Sequence, residues 1–201
     1  DDFEFSLGYM AFWDKLEKSN TFLELVIDTR DRDTQDRELD YFLKDPIGDG
    51  GWWDYVVALV DKYGVVPKEV MPETTSSQNT DVMNAVLARR LRVGAAQLRQ
   101  MGADKKSVEE LREAKKKILQ DVYRILVLSY GEPPTEFTYR YADKDKKVSN
   151  AKKYTPQSFY KEWVGVDLSQ FVHLTNDPSE PYDKHYRLRN VKNAVEGTEI
   201  H

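Results

Sequence analysis

Apolar side chains recur every three or four positions along most of the first two thirds of the chain, and every second position only after Thr135. Over residues 5–28, Leu7, Met10, Phe12, Trp13, Leu16, Phe22, Leu23 and Val26 make a wide apolar stripe. Ser6 stands where a capping hydroxyl belongs, so a helix is predicted there. Arg30–Glu38 is a run of mixed-sign charge that reads as a solvated connection, and a short helix over Asp36–Lys44 is stopped by Pro46. Trp52, Val56, Leu59, Val60 and Tyr63 place the next helix over Gly51–Tyr63, with Gly64 as its terminating glycine. Val65–Val70 reads as a short extended piece broken by Pro67, and Pro72–Thr80 as a polar loop rich in cap formers.

Two long helices follow. The first runs from Thr80 to about Met101 on Val82, Met83, Val86, Leu87, Leu91 and Leu98, with Gly102 placed to end it. The second, Ser107–Ser129, opens on Ser-Val-Glu-Glu, a capping box between Ser107 and Glu110, and stops before Gly131 and Pro133-Pro134. Together they predict an antiparallel helical hairpin. Its polar faces are basic, with Arg89, Arg90, Arg92 and Arg99 on one helix and Lys115, Lys116 and Lys117 on the other. Such a face suits an acidic partner or a nucleic acid strand, but a solvated helix surface is the simpler account. After Thr135, alternating Phe137, Tyr139 and Tyr141 and a turn over Asp143–Lys147 predict a β-hairpin. Thr155–Trp163 reads as a short helix with Pro156 at its first position and Gly165 beyond its end, and Ser169–Asp177 and His185–Asn190 read as strands. The expected fold class is mainly α with a minor antiparallel β part (α+β). The expected division is a helical part over 1–78, an inserted helical hairpin over 79–134, and short strands and a helix over 135–201.

Composition narrows the chemistry. The 201 residues include 40% apolar and 12% aromatic side chains, enough for a packed core, and the net charge of −5 disfavours nucleic acid as a partner. No apolar run approaches a membrane span, and the opening Asp-Asp-Phe-Glu-Phe lacks a signal pattern. Cysteine is absent, which excludes disulfides, thiolate metal sites and a cysteine nucleophile supplied by this chain, and fits a reducing compartment. His173, His185 and His201 have no second ligand at helical or hairpin spacing, so neither a metal nor a cofactor is expected. His173 reads as a structural residue on a strand. Gly-x-Ser-x-Gly and Walker patterns are missing, and Gly48-x-Gly50 lacks a third glycine. Asp14, Lys15 and Lys18 look like ordinary surface charge pairs. Asp49-Gly50-Gly51-Trp52-Trp53 is the unusual stretch: either a helix start with two large anchors packed in the core, or a place where another backbone comes close.

Three segments, read together, resemble one family. Phe3–Glu24 (FEFSLGYMAFWDKLEKSNTFLE), Asp49–Glu73 (DGGWWDYVVALVDKYGVVPKEVMPE) and Phe171–Gly197 are similar to aminopeptidase C, the bleomycin hydrolase group of papain-like cysteine peptidases. The resemblance implies the helical half of a papain-like fold carrying an inserted hairpin. It also implies a cytoplasmic, hexameric enzyme that removes N-terminal residues from peptide substrates, with no membrane or cofactor involved. The family's cysteine motif is expected before Asp1 and its histidine motif after His201. This chain is therefore expected to be an interior segment, inactive alone, with no catalytic role for His173 or His185. In the family a Gly-Gly segment on the cleft wall pairs with the substrate backbone as an added strand would. That role falls on Gly50 and Gly51, with Asp49 shaping the turn and Trp52 and Trp53 walling a pocket for the substrate's second side chain. A side chain at either glycine would hold a peptide beyond hydrogen-bond reach of about 2.9 Å. The chain departs from the family at Ser6-Leu7-Gly8-Tyr9, where Ser-Gln-Asn-Tyr or similar is expected, and at Trp52, which replaces a smaller polar residue. On the residues alone, a non-catalytic interaction module built on Thr80–Ser129 is the alternative.

Overall fold

The computed structural model describes residues 3–171, 174, 179–181, 184–187 and the backbone of 199–200. The elements in order are α1 (Leu7–Asp28), α2 (Arg37–Lys44), α3 (Trp53–Tyr63), α4 (Thr75–Gln78), α5 (Asp81–Ala103), α6 (Val108–Tyr130), β1 (Phe137–Tyr139), β2 (Lys152–Tyr154), α7 (Pro156–Trp163), a 3-10 turn (Leu168–Gln170), β3 (Tyr186–Arg187) and β4 (Glu199–Ile200). β1 pairs with β2 and β3 with β4, both antiparallel, so the fold is mainly α with a minor antiparallel β part. The chain forms two compact units, residues 1–10, 50–72 and 134–201 in the first and 11–49 and 73–133 in the second.

The second unit is built on α5 and α6. Met83, Leu87, Leu91, Ala95 and Leu98 of α5 and Leu111, Ala114, Ile118, Val122 and Leu126 of α6 are buried at the three- and four-residue spacing that the sequence showed. The helices run antiparallel: Arg90 Nη2 meets Asp121 Oδ2 at 3.0 Å, and a Cβ on Gly94 would lie 3.0 Å from the Ile118 side chain. Glycine at 94 therefore allows a close approach. The capping box that opens α6 forms as expected, with Glu110 N donating to Ser107 Oγ at 3.2 Å and Ser107 N donating to Glu110 Oε2 at 2.9 Å. Gly102 does not end α5; it is buried within the helix, where a Cβ would lie 3.1–3.3 Å from the side-chain carbons of Arg30. The expected loop at Pro72–Thr80 contains the four-residue α4, opened by a Thr74–Ser77 capping box.

Part of the basic face is engaged within this unit. Arg92 donates to the carbonyl of Leu43 at 2.9 Å and to that of Lys44 at the end of α2. Arg99 donates to the carbonyl of Thr29, just past α1, at 3.0 Å. Lys115 donates to Asn20 Oδ1 at 2.8 Å and pairs with Glu24, which Arg112 also reaches at 3.2 Å. Carbonyls at helix ends lack helical partners, so a nearby guanidinium is a natural donor to them. Arg89, Lys116 and Lys117 are exposed.

In the first unit, Ser6 caps α1: Tyr9 N donates to Ser6 Oγ at 3.0 Å, and Ser6 Oγ donates to the Met71 carbonyl at 2.5 Å. The extended piece after α3 bridges back to the chain start, with Ser6 N on the Val66 carbonyl and Lys68 N on the Glu4 carbonyl, both at 2.9 Å. Gly64 ends α3 at φ +71°, where a Cβ would sit 2.3 Å from the Pro156 backbone. α7 opens at Pro156 behind a Thr155–Ser158 capping box. Its fully buried Phe159 lies within 5.5 Å, ring to ring, of Phe137, Tyr139, Tyr154 and Trp163. The strand expected over Ser169–Asp177 begins inside the 3-10 turn; Phe171 and Leu174 are not in a strand, and 172–173 and 175–177 lie outside the described residues. Of His185–Asn190, Tyr186 and Arg187 form β3 and 188–190 lie outside them.

Candidate functional site

Asp49 belongs to the second unit and Gly50–Trp53 to the first. Gly50 and Gly51 are exposed and irregular in backbone. A Cβ built on Gly51 meets no atom within 4 Å, and its φ lies outside the left-handed range. At Gly64, Gly94 and Gly102 the packing itself excludes or crowds a side chain. Nothing comparable explains the glycine at 51. Trp52 occupies the N-cap of α3 in extended conformation (φ −95°, ψ 161°) without a side-chain cap, and is half-buried. Trp53 begins the helix, is 38% exposed, and meets the Phe171 ring edge-on at 6.1 Å. The buried face of α3 is Tyr55, Leu59 and Val60, so two core-packed tryptophans are not what anchors this helix.

The support of Asp49 is the feature that sequence reasoning missed. Lys15 and Lys18 are not surface residues: they are 1% and 5% exposed on α1. Lys15 Nζ donates to the Gly48 carbonyl at 2.8 Å and to Asp49 Oδ1 at 2.5 Å. Lys18 Nζ donates to the same Gly48 carbonyl at 3.1 Å and to Asp14 Oδ2 at 2.6 Å. The other oxygen of Asp49 accepts from Thr80 Oγ1 and Asn84 Nδ2, each at 3.0 Å, at the start of α5. Thr80 makes no capping bond to its own helix; its hydroxyl goes to Asp49 instead.

The charges show the strain of burial. Loss of water pushes the Asp14 carboxyl above its ordinary range, against the pull of Lys18 and Lys15. The same desolvation pushes Lys18 down, opposed by Asp14. For Asp49 desolvation acts upward too, but the hydrogen bonds from Lys15, Asn84 and Thr80 prevail and hold it below the usual carboxylate value. Tyr130, buried in the same unit, is pushed up by burial and then by the negative charges of Asp49, Asp14 and Glu73. A signal for this network was present in the sequence: Lys15 and Ser19 fall on the same helical arc as Phe12, Phe22, Leu23 and Val26. Ionic side chains inside an apolar arc need partners, because an unpaired buried charge is far costlier than a paired one.

His185 is exposed, and His173 and His201 lie outside the described residues. Among the described residues no group of three or more histidine, aspartate or glutamate side chains is disposed to hold a metal ion, and no helix is long and apolar enough to cross a membrane.

Comparison with known proteins places these features. The Peptidase C1-like family matches residues 1–201. Aminopeptidase C of Lactobacillus delbrueckii subsp. lactis is 40% identical over 200 residues, covering 98% of this chain and 44% of that protein. Aminopeptidase C of Listeria monocytogenes is 40% identical over 201 residues, covering 99% of this chain and 45% of that protein. The crystal structure of PepW from Lactobacillus rhamnosis HN001 superposes with a TM-score of 0.93 at 42% identity, over 100% of this chain and 45% of that one. The chain thus spans less than half the length of the relatives it matches. With its whole length matched, the chain belongs to the Peptidase C1-like family, as a papain-like member of the aminopeptidase C group.

Proposed function

We propose that Asp49–Trp53 is part of the substrate-binding wall of a cysteine aminopeptidase, with Gly50 and Gly51 pairing their backbones with a peptide substrate. In this reading Asp49 shapes the turn, and Trp52 and Trp53 wall a pocket for the substrate's second side chain. The observation that supports it is the open space around Gly51 together with its ordinary φ. The fold has room for a side chain there, so the glycine answers to something that approaches from outside: a peptide backbone at about 2.9 Å tolerates no Cβ between itself and its partner.

The chemistry is that of a thiolate attacking the peptide carbonyl, with a histidine taking and returning the proton. This chain has no cysteine; in this reading the nucleophile and its histidine both belong to the rest of the protein, and the segment alone is inactive. The same reading carries a cytoplasmic setting, a hexameric assembly and kinship to bleomycin hydrolase.

The test is Gly51→Val in the full-length protein. We expect kcat/KM for peptide substrates to fall about 10- to 100-fold, while the unfolding free energy stays within about 0.5 kcal/mol of the parent. Unchanged kinetics in a folded variant would remove the wall role from Gly51.

A further inference from the structure

We infer that Lys15 and Lys18 are positioning residues for the wall: their buried ammonium groups lock Gly48 and Asp49, and through them the chain that runs directly into Gly50 and Gly51. The inference rests on the peptide-binding reading of Gly50 and Gly51.

Four observations carry it. First, both ammonium groups converge on a single acceptor, the Gly48 carbonyl, at 2.8 and 3.1 Å. One donor would satisfy that carbonyl; two on the same helix fix its position. Second, both oxygens of Asp49 are held, Oδ1 by Lys15 and Oδ2 by Thr80 and Asn84, so the residue is tied to α1 and to the start of α5 at once. Third, the lysines sit on a continuous helix, a far stiffer mount than a loop, and Ser19 Oγ donates to the Lys15 carbonyl at 2.7 Å one turn further on. Fourth, the arrangement is a poor means of gaining stability. Two ammonium groups and the Asp14 carboxylate lose most of their water, and well-packed apolar side chains of similar volume would hold the helix about as well. What apolar side chains would not do is hold a specific carbonyl and a specific carboxylate in direction as well as distance. Gly50 and Gly51 have no side chains of their own to pack, so the residues fixed directly before them contribute to how they are presented.

The role differs from that of a catalytic residue, since the lysines act on substrate only through Gly48 and Asp49. It predicts a defect in binding with the reactive thiol left intact. The experiment uses the full-length protein and compares Lys15→Met, which keeps the stem and removes the ammonium, and Asp49→Ala, which removes an exposed side chain, with Gly51→Val. Peptide turnover gives kcat and KM. The rate of alkylation by iodoacetamide, which needs no peptide wall, reports the active-site thiol. We expect Lys15→Met to raise KM about tenfold with kcat and alkylation rate within about twofold of the parent, and Asp49→Ala to change KM in the same direction by less. If Gly51→Val is impaired but the folded Lys15→Met and Asp49→Ala proteins keep the parental KM, the positioning role is overturned and the wall stands. If alkylation falls together with turnover, the lysines serve general structure and the inference fails. If Gly51→Val is silent, the wall fails and takes the positioning role with it. Should Lys15→Met not fold, Lys18→Met combined with Asp14→Leu, which takes the second ammonium from the Gly48 carbonyl without touching the wall, decides instead: a raised KM supports the positioning role and a parental KM overturns it.

Discussion

Phe159 in the first unit and Gly48 in the second are both gathering points, built from opposite materials. Four aromatic rings surround Phe159 within 5.5 Å, and Phe3 lies at 6.3 Å. Two ammonium groups converge on Gly48, backed by two carboxylates. Aromatic burial is favourable whichever ring touches which, within packing limits, because the driving force scales with apolar area removed from water. Charge burial is unfavourable unless each group finds its partner, so it yields little net stability while fixing direction. The first cluster holds its unit together; the second holds one short stretch of backbone in place.

The largest effect should come from breaking the aromatic cluster. Phe159→Ala removes a ring that is fully buried and should destabilise the protein by about 3–5 kcal/mol in thermal or denaturant unfolding. A loss under about 1 kcal/mol would mean that the rings close over the gap and that this cluster is no more a keystone than its neighbours.

The charged network should behave differently. Lys18→Met alone leaves the partly buried Asp14 without its closest cation and should cost about 3 kcal/mol, whereas Lys18→Met with Asp14→Leu should return to within about 1 kcal/mol of the parent. A double-mutant cycle measures the coupling. Simple additivity of the two substitutions would show that Asp14 and Lys18 are not balancing each other, and would erase the contrast with the aromatic cluster.

The smallest effect is in pH dependence. Glu24 feels upward pressure from desolvation, but the hydrogen bonds from Lys115 and Arg112 hold its carboxyl below the usual value; Asp49 is held down in the same way. A depressed carboxylate contributes stability that is present above the unfolded-state value, about 4, and is lost as pH falls through the folded one. Asp14, raised by burial, has the opposite sign: protonation relieves it, and its contribution improves as pH falls. Acid unfolding followed by circular dichroism should therefore show stability lost below about pH 4, with a shallower slope in Lys115→Met. An unchanged slope would mean that the Lys115–Glu24 pair across α1 and α6 contributes nothing measurable.

Much of the fold was legible in the residues because its determinants are local. The Ser107–Glu110 box, Ser6 as a cap, Pro156 at the first position of α7 and Gly64 after α3 all act within one helical turn of where they stand. Gly102 misled for the same reason: a glycine at the end of an apolar pattern looks like a terminator, and only Arg30, 72 positions earlier in the chain, shows that it is a contact. The glycine pair of the candidate wall was legible through the family resemblance. The residues that fix its lead-in were not, since Asp14, Lys15 and Lys18 have the spacing of any surface charge pair on a helix.

Local sequence was enough for the starts of α1, α6 and α7, the apolar faces of the long helices, the lack of a cysteine nucleophile among these residues and the family resemblance. Only the folded chain shows that two lysines of α1 turn inward to Gly48, that Arg92 and Arg99 donate to carbonyls at helix ends, and that Gly51 has open space beside it. The physical reason is range. Periodicity and capping are set by neighbours within four positions, whereas the Gly48 carbonyl that both buried lysines reach lies 30 or more positions away, and a lysine's sign and spacing are the same whether its helix face meets water or a carbonyl.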